Sequence, residues 1–292
     1  MKSRFLLLMA TLSLINAQSL LAAAAPPPVE AKEISPGLYF VTGGGGANSV
    51  ILTGSDGALV IDAKLDIASA EEELAVLNGI YKGPLRYLVN THVHPDHTGG
   101  NEAYGKRGAV IIAREETRAI LAAGQRGGPP APVAALPTLT FDGQPLVLHL
   151  NGETVVIRPM PAAHTTDNNL VQFVNANVYQ LGDLFSTSRY PVIAGGTFQG
   201  FIDSAEQVLA VANAEARFIP GNGEIEDIAA LRAWREMLVT VKANVAALVA
   251  KGNSLEQVVA AKPTAAFDAT FGTPERLVPA LYQELGGKVA KQ

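Results

Sequence analysis

Three of the five histidines in this 292-residue chain stand within six positions, in the run Asn90-Thr91-His92-Val93-His94-Pro95-Asp96-His97-Thr98-Gly99-Gly100-Asn101. Imidazole is the commonest side-chain ligand of a catalytic divalent metal. In an extended or turning segment, positions 92 and 94 point to one side, so both rings can converge on one ion. Asp96 and His97 then face a neighbouring point, which suits a second ion or a carboxylate poised beside the first. A solvent-exposed polar loop that happens to be rich in His is the bland alternative, and surface loops seldom concentrate it. The preceding run, Leu85-Arg-Tyr-Leu-Val-Asn90, reads as a strand. The motif therefore begins at a strand's C-terminal end, where layered α/β proteins gather their ligands.

The order His92-x-His94-x-Asp96-His97, followed by Thr98-Gly99-Gly100-Asn101, resembles the signature of the metallo-β-lactamase-fold hydrolases. That superfamily includes glyoxalase II-like thioesterases and lactonases. The resemblance runs along most of the chain after residue 33. Asp62, ending Ala58-Leu-Val-Ile-Asp62, matches the family's early acidic residue, His164 its third-motif histidine and Asp183 its bridging aspartate. The chain departs at Pro220-Gly221-Asn222-Gly223, where Asn222 stands in place of a second-site histidine. The resemblance implies an α/β four-layer αβ/βα sandwich, with a helical C-terminal segment.

Composition sets the compartment and the partners. Lys2 and Arg4 precede a short apolar stretch from Phe5 to Ile15, and Leu20-Leu-Ala-Ala-Ala-Ala25 supplies small residues for cleavage. This reads as a secretory signal peptide over 1–25, hence a periplasmic or secreted protein. A membrane span needs about 20 apolar residues, and Asn16, Gln18 and Ser19 interrupt the stretch too early. Cysteine is absent, so neither a disulfide framework nor a thiolate metal site is available. Loss of the leader leaves 20 basic and 27 acidic residues. No basic patch with interleaved aromatics is present, which argues against nucleic acid as a partner and leaves a small-molecule substrate.

The expected organisation is a core over 26–224 and C-terminal helices over 225–292 packed on it. Leu38-Tyr-Phe-Val and Ser49-Val-Ile-Leu-Thr read as paired strands around a flexible hairpin, Gly43-Gly-Gly-Gly46. His164 follows the strand around Thr154-Val-Val-Ile, Asp183 follows Val178-Tyr-Gln-Leu, and Asn222 follows Arg217-Phe-Ile. Asp66 or Ser69 caps a helix running to about Asn78. Ile228, Leu231, Trp234, Leu238, Val241, Val245 and Leu248 form one stripe of a long amphipathic helix. Ser254-x-x-Gln257 is a capping box, and Thr273-Pro274 opens a further helix. His149, among alternating leucines, reads as an outward-facing strand residue.

The resemblance implies that His92, His94 and His164 hold a catalytic zinc, with a fourth position open to water. Zinc lowers the pKa of its water from ~15.7 to ~7, and Asp96 can orient the resulting hydroxide and carry a proton to the leaving group. Asp96, His97, Asp183 and Asn222 would hold a second zinc more weakly, because an amide oxygen is a poor ligand beside imidazole. Asn222 taking a left-handed turn between glycines is the alternative. Asn90, Thr91 and Asp62 are candidates to fix the imidazole tautomers. Arg189 and Tyr190 read as substrate contacts, with loop anchoring as the alternative. The leading expectation is an exported zinc hydrolase of a small lactone, thioester, ester or β-lactam. A mononuclear iron persulfide-type oxygenase using His92, His164 and Asp183, and a non-catalytic metal or ligand binder, are the other classes.

Overall fold

The run Ala58-Leu59-Val60-Ile61 is buried at every position, yet its side chains serve two different cores. Leu59 and Ile61 pack between two sheets, whereas Ala58 and Val60 pack beneath helices on the opposite face. The two-residue period of a strand makes this division, and a strand covered on both faces must be apolar throughout. The computed structural model describes residues 25–288, so the expected signal peptide lies, but for Ala25, outside the described residues.

Among the described residues the first sheet has seven strands in chain order: β1 (Glu30–Ser35), β2 (Leu38–Thr42), β3 (Ser49–Leu52), β4 (Ala58–Ile61), β5 (Leu85–Val89), β6 (Val110–Arg114) and β7 (Leu139–Phe141). It is antiparallel as far as β4 and parallel from there to β7. The second comprises β8 (Leu146–Leu150), β9 (Glu153–Pro159), β10 (Asn169–Phe173), β11 (Val178–Gly182) and β12 (Arg217–Pro220), ordered β12-β11-β10-β9-β8. Phe40, Leu59, Val89 and Ile112 of the first sheet meet Val155, Val171, Phe173 and Ile219 of the second in the central core.

Helices close both outer faces. On the first sheet, α1 (Ile67–Ile80) and α3 (Asn101–Lys106) bury Ala70, Leu74, Leu77 and Tyr104, while α2 (Pro95–Thr98) and α4 (Glu115–Ala123) complete that half. On the second, α5 (Phe198–Leu209), α6 (Ile228–Ala250) and α9 (Leu277–Glu284) share a cluster with Leu170, Tyr179 and Phe218. The short α7 (Leu255–Ala260) and α8 (Asp268–Phe271) join them. The result is the four-layer αβ/βα sandwich that the sequence implied. Trp234 of α6, 1% exposed, sits among the rings of Phe185, Phe201 and Phe271 and ties the C-terminal helices to the sheet. No helix among the described residues is long and apolar enough to cross a membrane.

Local signals behave as their chemistry requires. Asp66 caps α1 by accepting from the Ser69 amide at 2.8 Å, and the Ser254–Gln257 box is complete at α7. α9 begins at Leu277, three residues beyond Pro274, whose carbonyl accepts the Val278 amide. The glycine hairpin differs from expectation, because it is pinned. Gly44 N donates to Pro27 O, Gly45 N to Ser69 Oγ and Ala47 N to Asp96 O. Gly46, at φ +104°, lies so close to Leu65 and Asp96 that a Cβ would sit 2.7 Å from the Asp96 carbonyl. Bare backbone lets the turn close on the histidine motif.

Candidate metal centre

The residues singled out in the sequence converge because their strands end at one rim of the sandwich. Asn90–His97 follows β5, His164 follows β9, Asp183 follows β11 and Gly221 follows β12. Asp62 follows β4 in a left-handed conformation, φ 65°, which aims its carboxylate across the rim. Fully buried, it accepts from Thr91 N and Thr91 Oγ1 at 2.8 Å each and lies 2.7 Å from His97 Nδ1. Strained backbone of this kind is held in place by the bonds it enables.

Those bonds set the imidazoles. The Thr91 hydroxyl gives its proton to Asp62, so its oxygen faces His92 Nδ1, 3.3 Å away, as an acceptor. His164 Nδ1 donates to the Val192 carbonyl at 2.6 Å. His97 Nδ1 donates to Asp62. His92, His164 and His97 are thereby left with Nε2 facing the site. His94 Nδ1 lies 3.1 Å from His92 Nε2 and 2.8 Å from His164 Nε2. Nitrogens on the edges of a zinc tetrahedron are about 3.3 Å apart, so these three are spaced to share one ion.

A second donor group adjoins the first. His92, His97 and Asp183 place their ligand atoms within 4.8 Å of one another. His97 Nε2 is 3.7 Å from Asp183 Oδ1 and 3.6 Å from Asp96 Oδ2. Buried as they are, His97 Nε2 and Asp183 Oδ1 have no hydrogen-bond partner among the described residues. Orphaned buried polar atoms facing each other across such a gap fit a cation between them.

Electrostatics reinforce this. Burial pushes His92 well below the ordinary histidine value, with the neighbouring imidazoles adding to it, and burial also lowers His164. Both are thus neutral, as ligation demands. For His97, burial acts downward but is overcome by Asp62 and Asp183, which hold it well above the usual value. Asp183 is held below the ordinary carboxylate range because His97 beside it outweighs its burial.

The remaining expected residues divide. Asp96 is 37% exposed at the mouth, where a substrate could reach it. Arg189 Nη2 donates to Asp183 Oδ2 at 3.2 Å, so Arg189 belongs to the centre. Tyr190 is buried and its hydroxyl donates to Asp268 Oδ1 at 2.8 Å and Thr264 O at 3.1 Å; it anchors the loop to the C-terminal helices. Asn222 is exposed, and its side chain makes no hydrogen bond among the described residues. Its neighbour Gly221 does touch the site, since a Cβ there would sit 2.2 Å from Asp183 Oδ1. His149 is exposed on β8, apart from the cluster. Sequence reasoning missed the Val192 carbonyl, which no side-chain pattern can report, and Gln125, whose amide holds Val93 O at 2.7 Å between the two histidines.

Comparison with known proteins agrees with this architecture. Residues 42–245 match the sequence profile described as the Metallo-beta-lactamase superfamily. Among solved structures, the chain is similar to a metallo-β-lactamase from Pontibacter korlensis at 20% identity and a TM-score of 0.63, covering 72% of this chain and 99% of that one. TMB-1 matches at 19% identity and a TM-score of 0.61, covering 73% and 98%. At these identities the likeness concerns the fold. A curated relative, the 2,4-dinitroanisole O-demethylase subunit alpha of Nocardioides sp. (strain JS1661), is 25% identical over 167 residues. The match covers 56% of this chain, which spans about half of that relative's length (49%).

Proposed function

This chain belongs to the metallo-β-lactamase superfamily, and from that premise we propose that it is an exported zinc-dependent hydrolase of small acyl substrates: lactones, thioesters, esters or β-lactams. One observation carries the reading. Three imidazole nitrogens meet with 2.8 and 3.1 Å spacings, and the carboxylate nearest to them, Asp183 at 3.4 Å from His164 Nε2, is shared with the second donor group rather than closing the first. A structural zinc site would be closed, whereas a catalytic one keeps a position open.

A divalent ion held by His92, His94 and His164 would supply Lewis-acid polarisation and acidify a water. The chain's own residues do the rest. Asp96, half-exposed beside the cluster, accepts a hydrogen bond from the attacking water, takes its proton and returns it to the departing O, S or N. Asp62 and Thr91 keep the imidazoles turned toward the ion. Asp183 spans both donor groups, 3.4 Å from His164 Nε2 through Oδ2 and 3.7 Å from His97 Nε2 through Oδ1. His94 favours this set over an iron centre built on His92, His164 and Asp183, because its nitrogen takes a face such a centre leaves open. Export rests on the leader-like residues 1–25.

The test is a panel of chromogenic lactone, thioester, aryl ester and cephalosporin, with 2,4-dinitroanisole included for the relative's sake. Protein stripped of metal and reloaded with zinc or iron should turn over an acyl member with zinc, and His164→Ala should not. Turnover by the iron form alone, or none by either form, would overturn the reading.

A further inference from the structure

Beside the metal centre lies a cavity of about 550 Å³ between the loop 189–194 and the C-terminal helices, lined by Arg189, Val192, Phe271, Glu275, Arg276 and Leu277 among others. We propose that this cavity recognises a carboxylate-bearing acyl substrate and that Arg276 is the residue that selects it. The proposal rests on the hydrolase reading above for the substrate's reacting end, and on the cavity itself for the rest.

The cavity is joined to the chemistry at two points. Arg189, on its wall, reaches Asp183 with one nitrogen, and Val192, also on its wall, accepts the hydrogen bond of His164 Nδ1 through its carbonyl. A molecule filling the cavity therefore lies against the residues that orient two of the site's own groups. Its volume is that of an ordinary small-molecule site.

The walls are preorganised. Tyr190 N donates to Phe271 O at 3.2 Å, and the Tyr190 hydroxyl holds Asp268 and Thr264. The Tyr190 and Phe271 rings lie 5.5 Å apart, and Phe271 packs in turn on Trp234 at 5.8 Å. Loop and helices are thus fixed to each other before any ligand arrives, which limits the ordering cost of binding.

The chemistry of the lining points to an anion with an apolar body. Val192, Phe271 and Leu277 offer apolar surface. The Arg276 side chain is exposed and makes no ion pair or hydrogen bond among the described residues, and the Arg189 guanidinium commits only one nitrogen. Glu275 is the cavity's one carboxylate, against two guanidinium groups. A guanidinium with its donors free matches a carboxylate through two parallel N–H···O bonds. The wall carrying Arg276 spans residues 271–280, beyond the 42–245 that match the family profile. The selecting residue thus stands at the N-terminal end of α9, outside the residues that match the family profile.

Calorimetric binding of 4-phenylbutyrate and its neutral counterpart 4-phenylbutanamide, to the zinc-loaded full chain and to its Arg276→Gln variant, tests this. The carboxylate should bind the unmodified protein about tenfold more tightly than the amide. In Arg276→Gln that ratio should fall to about twofold or less, with metal content unchanged. A ratio near one in the unmodified protein, a ratio that survives Arg276→Gln because the metal itself takes the carboxylate, or no binding of either probe would each overturn the proposal. Discrimination without turnover of any acyl panel member would instead sink the hydrolase reading and leave the cavity standing.

Discussion

Arg189 Nη2 lies 3.2 Å from Asp183 Oδ2, so a fixed guanidinium shares the one carboxylate that spans both donor groups of the centre. That contact bears on how many ions the centre holds.

A cation on Asp183 competes with any ion that needs the same carboxylate. Removing it with Arg189→Ala should tighten binding of a second zinc. Arg189 is 44% exposed, so solvent screening keeps the gain to about threefold. Calorimetric titration of metal-free protein reads it, and an unchanged or weaker second step would show that Arg189 does not compete.

Asn222 stands where the family resemblance expects a second-site histidine. It is exposed, while Gly221 beside it presses on Asp183. The protein should hold about one zinc per chain after mild chelation, and Asn222→His should raise the affinity for a second, since imidazole is the stronger donor. The substitution should also favour β-lactam over lactone or thioester cleavage, because a nitrogen leaving group gains a metal partner. Two equally tight ions in the unmodified chain, unaltered by Asn222→His, would contradict this.

How these residues meet was legible to differing degrees. The histidine run could be read from its density and spacing, and His164 and Asp183 from the family resemblance together with their places just past strands. The four layers were legible through the resemblance, and runs such as Ala58–Ile61, buried on both faces, agree with it. Arg189 was legible as a residue near the site, but not its contact with Asp183, since loop paths carry no periodic signal. Tyr190 reads equally well as a substrate contact or an anchor until Thr264 and Asp268, more than seventy residues away, are seen around its hydroxyl. The hairpin Gly43–Gly46 looked flexible because glycine composition reports freedom. It does not report the hydrogen bonds to Ser69 and Asp96 that remove it.

Asp62 holds three buried donors from a left-handed backbone. Asp62→Ala would remove the carboxylate from Thr91 N, Thr91 Oγ1 and His97 Nδ1, leaving Thr91 N without an acceptor and the other two only each other and His92 Nδ1, at a cost of about 2–4 kcal/mol. Chemical denaturation of the metal-free variant measures it. A loss under about 1 kcal/mol would mean that water replaces the carboxylate.

A pH dependence arises away from the centre. Burial raises the pKa of Glu73 above its ordinary 4.5, against the pull of the Lys64 charge and the 2.6 Å hydrogen bond from Tyr104. Between the ordinary and the raised value the folded state binds the extra proton, so this group's contribution falls as pH rises through that window. Glu73→Gln abolishes the term. Stability of the variant relative to the unmodified protein should therefore climb from about pH 4.5 upward, read by denaturation at stepped pH. A difference that stays flat or declines would show that Glu73 titrates normally.

His92 belongs to both donor groups, which makes its removal the most direct test of a metal-dependent catalytic centre. Metal content by mass spectrometry and turnover of the best panel substrate should be measured together for the unmodified protein, His92→Ala and Asp96→Ala. His92→Ala is expected to lose its zinc and its activity together. Asp96→Ala is expected to keep the first zinc while turnover falls by about a hundredfold, the scale of a positioned acid–base group. Full metal content and full activity in His92→Ala would contradict the account.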